Sequence, residues 1–250
     1  MGREVMIPLL AQRVISVVPS ITELLVDLGL GDRLIGSTLF CIHPPSLKKS
    51  TTRIGGTKTL KLDKIRNLKP DLIIANKEEN VKEQIEELSK DIPVWTSDVG
   101  NLEDSLQMIK ALGDILQLEE KANLLSEKIA ASFQELATKN EKSCIYLIWR
   151  DPYMSVGKDT FIHDMINLAG FKNVLSNRER YPEISKNELQ ALNPDIIMLS
   201  SEPYPFREKH IKEMQAILPA SQVVIVDGEL FSWYGSRLLK SVNYFRSLNF

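Results

Sequence analysis

Apolar residues along this chain follow two rhythms: short, wholly apolar runs that read as buried strands, and longer stretches with apolar positions three or four apart that read as helices. Residues 13–18 form a run that ends at Pro19-Ser20, after which Ser20 or Thr22 can cap a helix over 21–28 with Gly29 as its stop. The pattern returns later. Residues 142–149 read as a strand, and Thr160 caps a helix over 161–169 that stops at Gly170. Between them, Leu118, Ala122, Leu125, Ile129, Phe133 and Leu136 are spaced at helical intervals with Glu and Lys opposite, and neither Gly nor Pro interrupts 118–140. A helix of that length spans about 33 Å at 1.5 Å per residue.

The second half of the chain echoes the first. Leu68-Lys69-Pro70-Asp71-Leu72-Ile73-Ile74-Ala75 reappears as Leu192-Asn193-Pro194-Asp195-Ile196-Ile197-Met198-Leu199, with Glu78 and Glu202 at matching places afterwards. In each copy a helical segment stops before Pro-Asp and a buried strand begins, as parallel sheets require. Later strands at 94–96 and 223–226 are each followed by an aspartate, Asp98 and Asp227. The expected fold class is α/β: two lobes with mostly parallel sheets, an N-terminal lobe over 1–117, a connecting helix over 118–140 that acts as a strut, and a C-terminal lobe over 141–250.

Composition narrows the function classes. With 31 basic and 33 acidic residues the formal net charge is -2, so no broad basic field awaits nucleic acid. No run of about 18 apolar residues suggests a membrane span. The start, Met1-Gly2-Arg3-Glu4-Val5-Met6, has no signal-peptide pattern, which leaves two expectations for location: cytoplasmic if Met1 is the native start, periplasmic or cell-envelope if a signal has been removed. Cys41 and Cys144 are too few for a disulfide scaffold.

Four segments together resemble the helical-backbone class of periplasmic binding proteins, the cobalamin and ferric-siderophore receptors of ABC importers. They are Arg13-Val14-Ile15-Ser16-Val17-Val18-Pro19-Ser20-Ile21-Thr22-Glu23, Arg53-Ile54-Gly55-Gly56-Thr57, Leu68-Lys69-Pro70-Asp71-Leu72-Ile73 and Trp233-Tyr234-Gly235-Ser236-Arg237. The resemblance implies a monomeric, non-enzymatic receptor that holds a metal chelate or corrinoid in a cleft between lobes and delivers it to an ABC permease. The ligand expected is cobalamin-like, haem, a ferric siderophore or a divalent metal, and no cofactor is required. It also implies that one acid per lobe docks on the permease, for which Glu78, Glu79 and Glu202 are the candidates. A cytosolic chaperone or sensor, and a metal- or corrinoid-handling enzyme, remain alternatives. No Gly-x-Ser-x-Gly elbow, His-Glu-x-x-His helix or phosphate loop favours the enzyme.

Ligand contacts are expected on loops that follow strands. Ser20 and Thr22 sit where backbone N–H groups at a helix start can meet an anion, or are plain caps. Cys41 and His43, two apart, can face one metal if the segment is extended; otherwise Cys41 is a small buried hydrophobe and His43 braces a loop. Trp149 beside Arg150, and Trp233 with Tyr234, offer flat rings for a conjugated ligand, against a core-packing alternative. Arg237 binds a ligand carboxylate or a neighbouring acid, and Glu202 lies in a Pro-rich wall. His163 and His210 read as structural or solvent-facing.

Overall fold

The computed structural model describes residues 6–7, 10–136 and 142–248. Among them the chain divides into two compact units. The first holds the described residues up to Val99, Glu103–Ala130 and Tyr234–Arg237; the second holds Gly100–Leu102, the described residues from Ala131 to Trp233, and 238–248.

In the first unit the elements run β1 (Val14–Ser16), α1 (Pro19–Asp27), β2 (Leu34–Ser37), α2 (Leu47–Ser50), β3 (Thr52–Arg53), β4 (Gly55–Gly56), β5 (Thr59–Leu60), α3 (Leu62–Asn67), β6 (Leu72–Asn76), α4 (Lys82–Leu88) and β7 (Val94–Ser97), followed by α5 (Leu102–Leu116) and α6 (Glu119–Gln134). Strands β3-β2-β1-β6-β7 form one parallel sheet in that order, and β4 and β5 make a small hairpin. The five residues of β6 are all buried, as expected of a parallel strand covered on both faces.

The second unit repeats the plan with β8 (Ser143–Leu147), β9 (Trp149–Arg150), β10 (Tyr153–Met154), α7 (Phe161–Leu168), β11 (Lys172–Asn173), β12 (Glu183–Ile184), α8 (Lys186–Leu192), β13 (Ile196–Ser200), α9 (Glu208–Ile217), β14 (Gln222–Val226), α10 (Gly228–Ser232) and α11 (Leu238–Ser247). Its parallel sheet is ordered β11-β8-β13-β14, which matches β2-β1-β6-β7 strand for strand. The Pro-Asp echo thus marks equivalent strands, β6 and β13. The equivalence extends to the backbone: Lys69 and Asn193, just before the two prolines, both adopt positive φ, 47° and 40°. The two aspartates do the same work. Asp71 accepts hydrogen bonds from the backbone N–H of Gln12 and Arg13, and Asp195 accepts from the N–H and hydroxyl of Ser143, so each pins the start of the neighbouring first strand. These bonds hold the Asp195 carboxyl below its usual range.

Two boundaries differ from the sequence reading. Helix α6 is formed over Glu119–Gln134, with Glu135 and Leu136 outside it, while 137–141 of the expected 118–140 helix lie outside the described residues. Its apolar stripe holds, since Ala122, Ile129 and Phe133 are buried. The late segment Tyr234–Arg237 packs with the first unit rather than the second. The cap of α1 also differs. Pro19 takes the first helical position, which moves the N-cap to Val18 and leaves Ser20 and Thr22 inside the helix as non-capping residues. Thr160 does cap α7, accepting from the His163 N–H at 3.3 Å.

Candidate functional site

Loops at the carboxyl ends of parallel strands are where α/β sheets place ligands. In the first unit the loop after β2 makes a tight turn closed by the Cys41 N–H on the Thr38 carbonyl, at 3.3 Å. Leu39 and Phe40 occupy the corner of that turn and stand 58% exposed each, with Ile42 exposed beyond them. The Leu39 N–H donates to the Gly55 carbonyl, and the Phe40 ring lies so close to Gly56 that a Cβ there would meet it at 3.3 Å. Apolar side chains of this size are costly to hold in water, and the backbone geometry holds them there.

The same turn sends Cys41 the other way. Its thiol is fully buried, 3.1 Å from Thr22 Oγ1 and 3.2 Å from Thr38 Oγ1. Burial pushes the thiol pKa up, against the opposing effect of those hydroxyls and of Arg53. Cys41 as folded packs as a buried side chain against the Thr22 and Thr38 hydroxyls. The loop turns at Leu39-Phe40, before Cys41, and bends at His43-Pro44. Among the described residues no group of three or more His, Cys, Asp or Glu side chains stands together to hold a metal ion. Thr22 Oγ1 donates to the Val18 carbonyl at 2.7 Å, so it too faces inward, and Ser20 is buried beside it.

After β6, Asn76 Oδ1 accepts from the N–H groups of Glu78 and Glu79, at 2.8 and 3.1 Å, and fixes the loop. Lys58 donates to the Glu78 carbonyl. The Glu79 carboxyl is raised above its usual range, chiefly by burial, with Lys58 opposing and Glu78 adding to the shift.

In the second unit Trp149 opens β9, with one residue between it and the end of β8, and is 41% exposed, its ring edge-on to Tyr204 at 5.6 Å between centroids. Tyr204 in turn packs against Phe206 and His210. His210 is buried rather than solvent-facing: its Nδ1 accepts from the Arg207 N–H at 2.8 Å, and burial lowers its pKa. Arg150 is committed to Glu213 by two hydrogen bonds of 3.0 and 3.1 Å, and the Tyr153 hydroxyl donates to the same carboxylate at 2.6 Å. Glu202 accepts from Trp233 Nε1 at 2.9 Å and from the Ser232 hydroxyl at 3.1 Å. Trp233 is consequently buried, not displayed. His163 is structural, with Asn173 and Asn167 side chains on its two ring nitrogens.

Tyr234–Arg237 belongs to the first unit. Gly235, at φ 93°, donates its N–H to Ser105 Oγ, and Arg237 places two nitrogens on the Glu23 carboxylate. Tyr234 is buried there.

The family described as periplasmic binding protein matches residues 14–222. The chain belongs to this family. Among relatives, an ABC transporter substrate-binding lipoprotein of Bacillus subtilis is 27% identical over 250 residues, covering 92% of this chain and 77% of the relative. The vitamin B12-binding protein of Photorhabdus laumondii is 28% identical over 194 residues, covering 75% of this chain and 70% of the relative. Two solved structures share the fold. The periplasmic vitamin B12-binding protein of Vibrio cholerae superposes with a TM-score of 0.82 at 24% identity, covering 95% of this chain and 96% of that one, and a periplasmic haem-binding protein from Pseudomonas aeruginosa with 0.82 at 21%, covering 94% and 91%.

As a periplasmic binding protein the chain displays at its strand tips residues that the sequence reading passed over. Leu39, Phe40 and Ile42 stand at the carboxyl end of β2, and with Trp149 they make up half of the large exposed apolar side chains among the described residues. The available signal was the run Leu39-Phe40-Cys41-Ile42 after a complete strand, too short to be another strand and too apolar for an ordinary loop.

Proposed function

We propose that this periplasmic binding protein is a non-enzymatic receptor for an apolar, flat metal chelate of the corrinoid or tetrapyrrole class, delivered to an ABC permease. The observation that carries the reading is the placement of Leu39, Phe40 and Ile42 on the first unit, and Trp149 with Tyr204 on the second, all in segments that follow parallel strands, β2, β8 and β13. Rings and branched aliphatics held in water at ligand-binding edges gain most from covering by a large apolar partner. Relatives named for vitamin B12, and fold neighbours named for vitamin B12 and haem, support the ligand class. Glu78, Glu79 and Glu202, in the loops after β6 and β13, are the proposed contacts for basic pockets on the permease, Glu202 holding the Trp233 indole as well. Among the described residues no helix is long and apolar enough to cross a membrane, so the permease is a separate partner in this reading.

A thermal-shift panel with cyanocobalamin, haem and a ferric siderophore tests it. Binding at a hundredfold excess over Kd stabilises the folded state by about 2.7 kcal/mol, a rise of about 5–10 °C for a chain of this size. A flat response to every compound at millimolar excess overturns the proposal.

A further inference from the structure

Basic side chains near the strand tips are nearly all matched by a partner. Arg150 is held by Glu213, Lys77 by Asp98, and Arg237 by Glu23. Arg53, at the end of β3, differs. Its Nη1 donates to Ser37 Oγ, the Thr38 carbonyl and the Cys41 carbonyl at 2.9, 2.6 and 3.0 Å, and among the described residues it makes no ion pair and no hydrogen bond through Nε or Nη2. Arg13 and Arg33 also donate to carbonyls, but they precede β1 and β2 and so stand at the opposite, amino-terminal end of the sheet.

The geometry separates two tasks within one guanidinium. The carbonyls that Nη1 meets, Thr38 and Cys41, bracket the corner residues Leu39 and Phe40, so one nitrogen braces the turn that displays the apolar platform. Those three acceptors fix the guanidinium plane and leave the N–H of Nε and the two of Nη2, a fork suited to a carboxylate. The side chain is half-buried, and a cation partly removed from water without a facing acid is a standing cost that an anion relieves. The acidic loop Glu78-Glu79, after β6, has Lys58 against it.

From this we infer that Arg53 is the specificity-determining residue of the candidate site, selecting chelates that carry a carboxylate at the rim of an apolar macrocycle over uncharged analogues of the same shape. The inference rests on the receptor reading above and names the ligand subclass that reading leaves open.

The test compares matched pairs on the intact protein: haem against its dimethyl ester, and a monocarboxylic acid of cyanocobalamin against cyanocobalamin itself, titrated by tryptophan quenching at neutral pH. In whichever pair binds, the acid is expected to bind about 10-fold or more tightly than the neutral form, the scale of a hydrogen-bonded charge. Arg53→Lys keeps the charge and one donor for the brace but loses the fork, and is expected to erase most of the preference, read as the ratio of acid to neutral affinity within the variant. Acid and neutral forms bound equally by wild type, or a full preference retained in Arg53→Lys, overturn the inference and leave the receptor reading intact. Binding of no member of either pair removes both. The wild-type comparison needs no variant, so poor folding of Arg53→Lys does not shield the idea.

Discussion

Arg237 grips the carboxylate of Glu23 through Nε at 2.6 Å and Nη2 at 3.0 Å, and both side chains are buried. The partners are 214 residues apart in sequence, and both lie in the first unit. A desolvated pair of this kind adds little over a well-packed apolar pair, but removing one member strands the other charge. Arg237→Met alone is therefore expected to cost about 3–5 kcal/mol, read as a lower urea midpoint at unchanged m-value. The double variant Glu23→Leu/Arg237→Met should recover most of that loss. A single variant as stable as wild type contradicts the assignment.

Glu79 gives a pH dependence whose sign is fixed. Its folded pKa is raised by burial above the unfolded value of about 4.3, so the folded state prefers the protonated carboxyl. The stabilising preference is complete below the unfolded value and is lost as pH rises through the folded one. Glu79→Gln keeps the shape and removes the ionisation. Its melting temperature should exceed that of wild type at pH 7, and the gap should close on acidification below about pH 4.3. A variant less stable than wild type at pH 7 would show that the ionised carboxylate is favourably paired.

Helices α5 and α6 meet at Gly113, where an added Cβ would lie 2.4 Å from the Ala122 Cβ, and the Leu118 N–H closes the turn between them on the Gly113 carbonyl at 2.8 Å. Gly113→Ala gains helix propensity but overpacks this crossing. The clash should dominate, with a net loss of about 1–3 kcal/mol. Restoring the space with Ala122→Gly should return part of it, and a double-mutant cycle in urea reads the coupling.

How much of this was legible depended on distance along the chain. The Pro-Asp echo was readable because helix stop, proline and buried strand are consecutive, and it marked equivalent strands, β6 and β13. Even so, the positive φ of Lys69 and Asn193 and the aspartate pins needed coordinates, since a pin joins Asp71 to Gln12 and Asp195 to Ser143. The acids that pair with Arg150 and Arg237, Glu213 and Glu23, are remote in sequence and so could not be named from it. Cys41 and His43 suggest a pair by spacing alone, whereas the contacts of the Cys41 thiol with Thr22 and Thr38 join it to another element and needed coordinates. Ser20 and Thr22 have the chemistry of caps, but the helix starts at Pro19 with Val18 as its N-cap, two residues before Ser20.

Trp149 offers the most direct reading of the exposed platform. Trp233 is buried with its indole N–H on Glu202, and Trp95 is half-buried in β7, so Trp149 should dominate acrylamide quenching of the intrinsic fluorescence. Trp149→Phe should remove most of the quenchable component without altering the urea midpoint, because the ring lost is largely at the surface. Ligand binding separates area from ring character. If a macrocycle stacks on this face, Trp149→Ala should weaken it by about 0.5–1.5 kcal/mol beyond the lost area, and Trp149→Phe by less, because an aromatic face remains. Equal affinities for wild type and Trp149→Ala would confine ligand contact to other residues, with Leu39, Phe40 and Ile42 the next to replace.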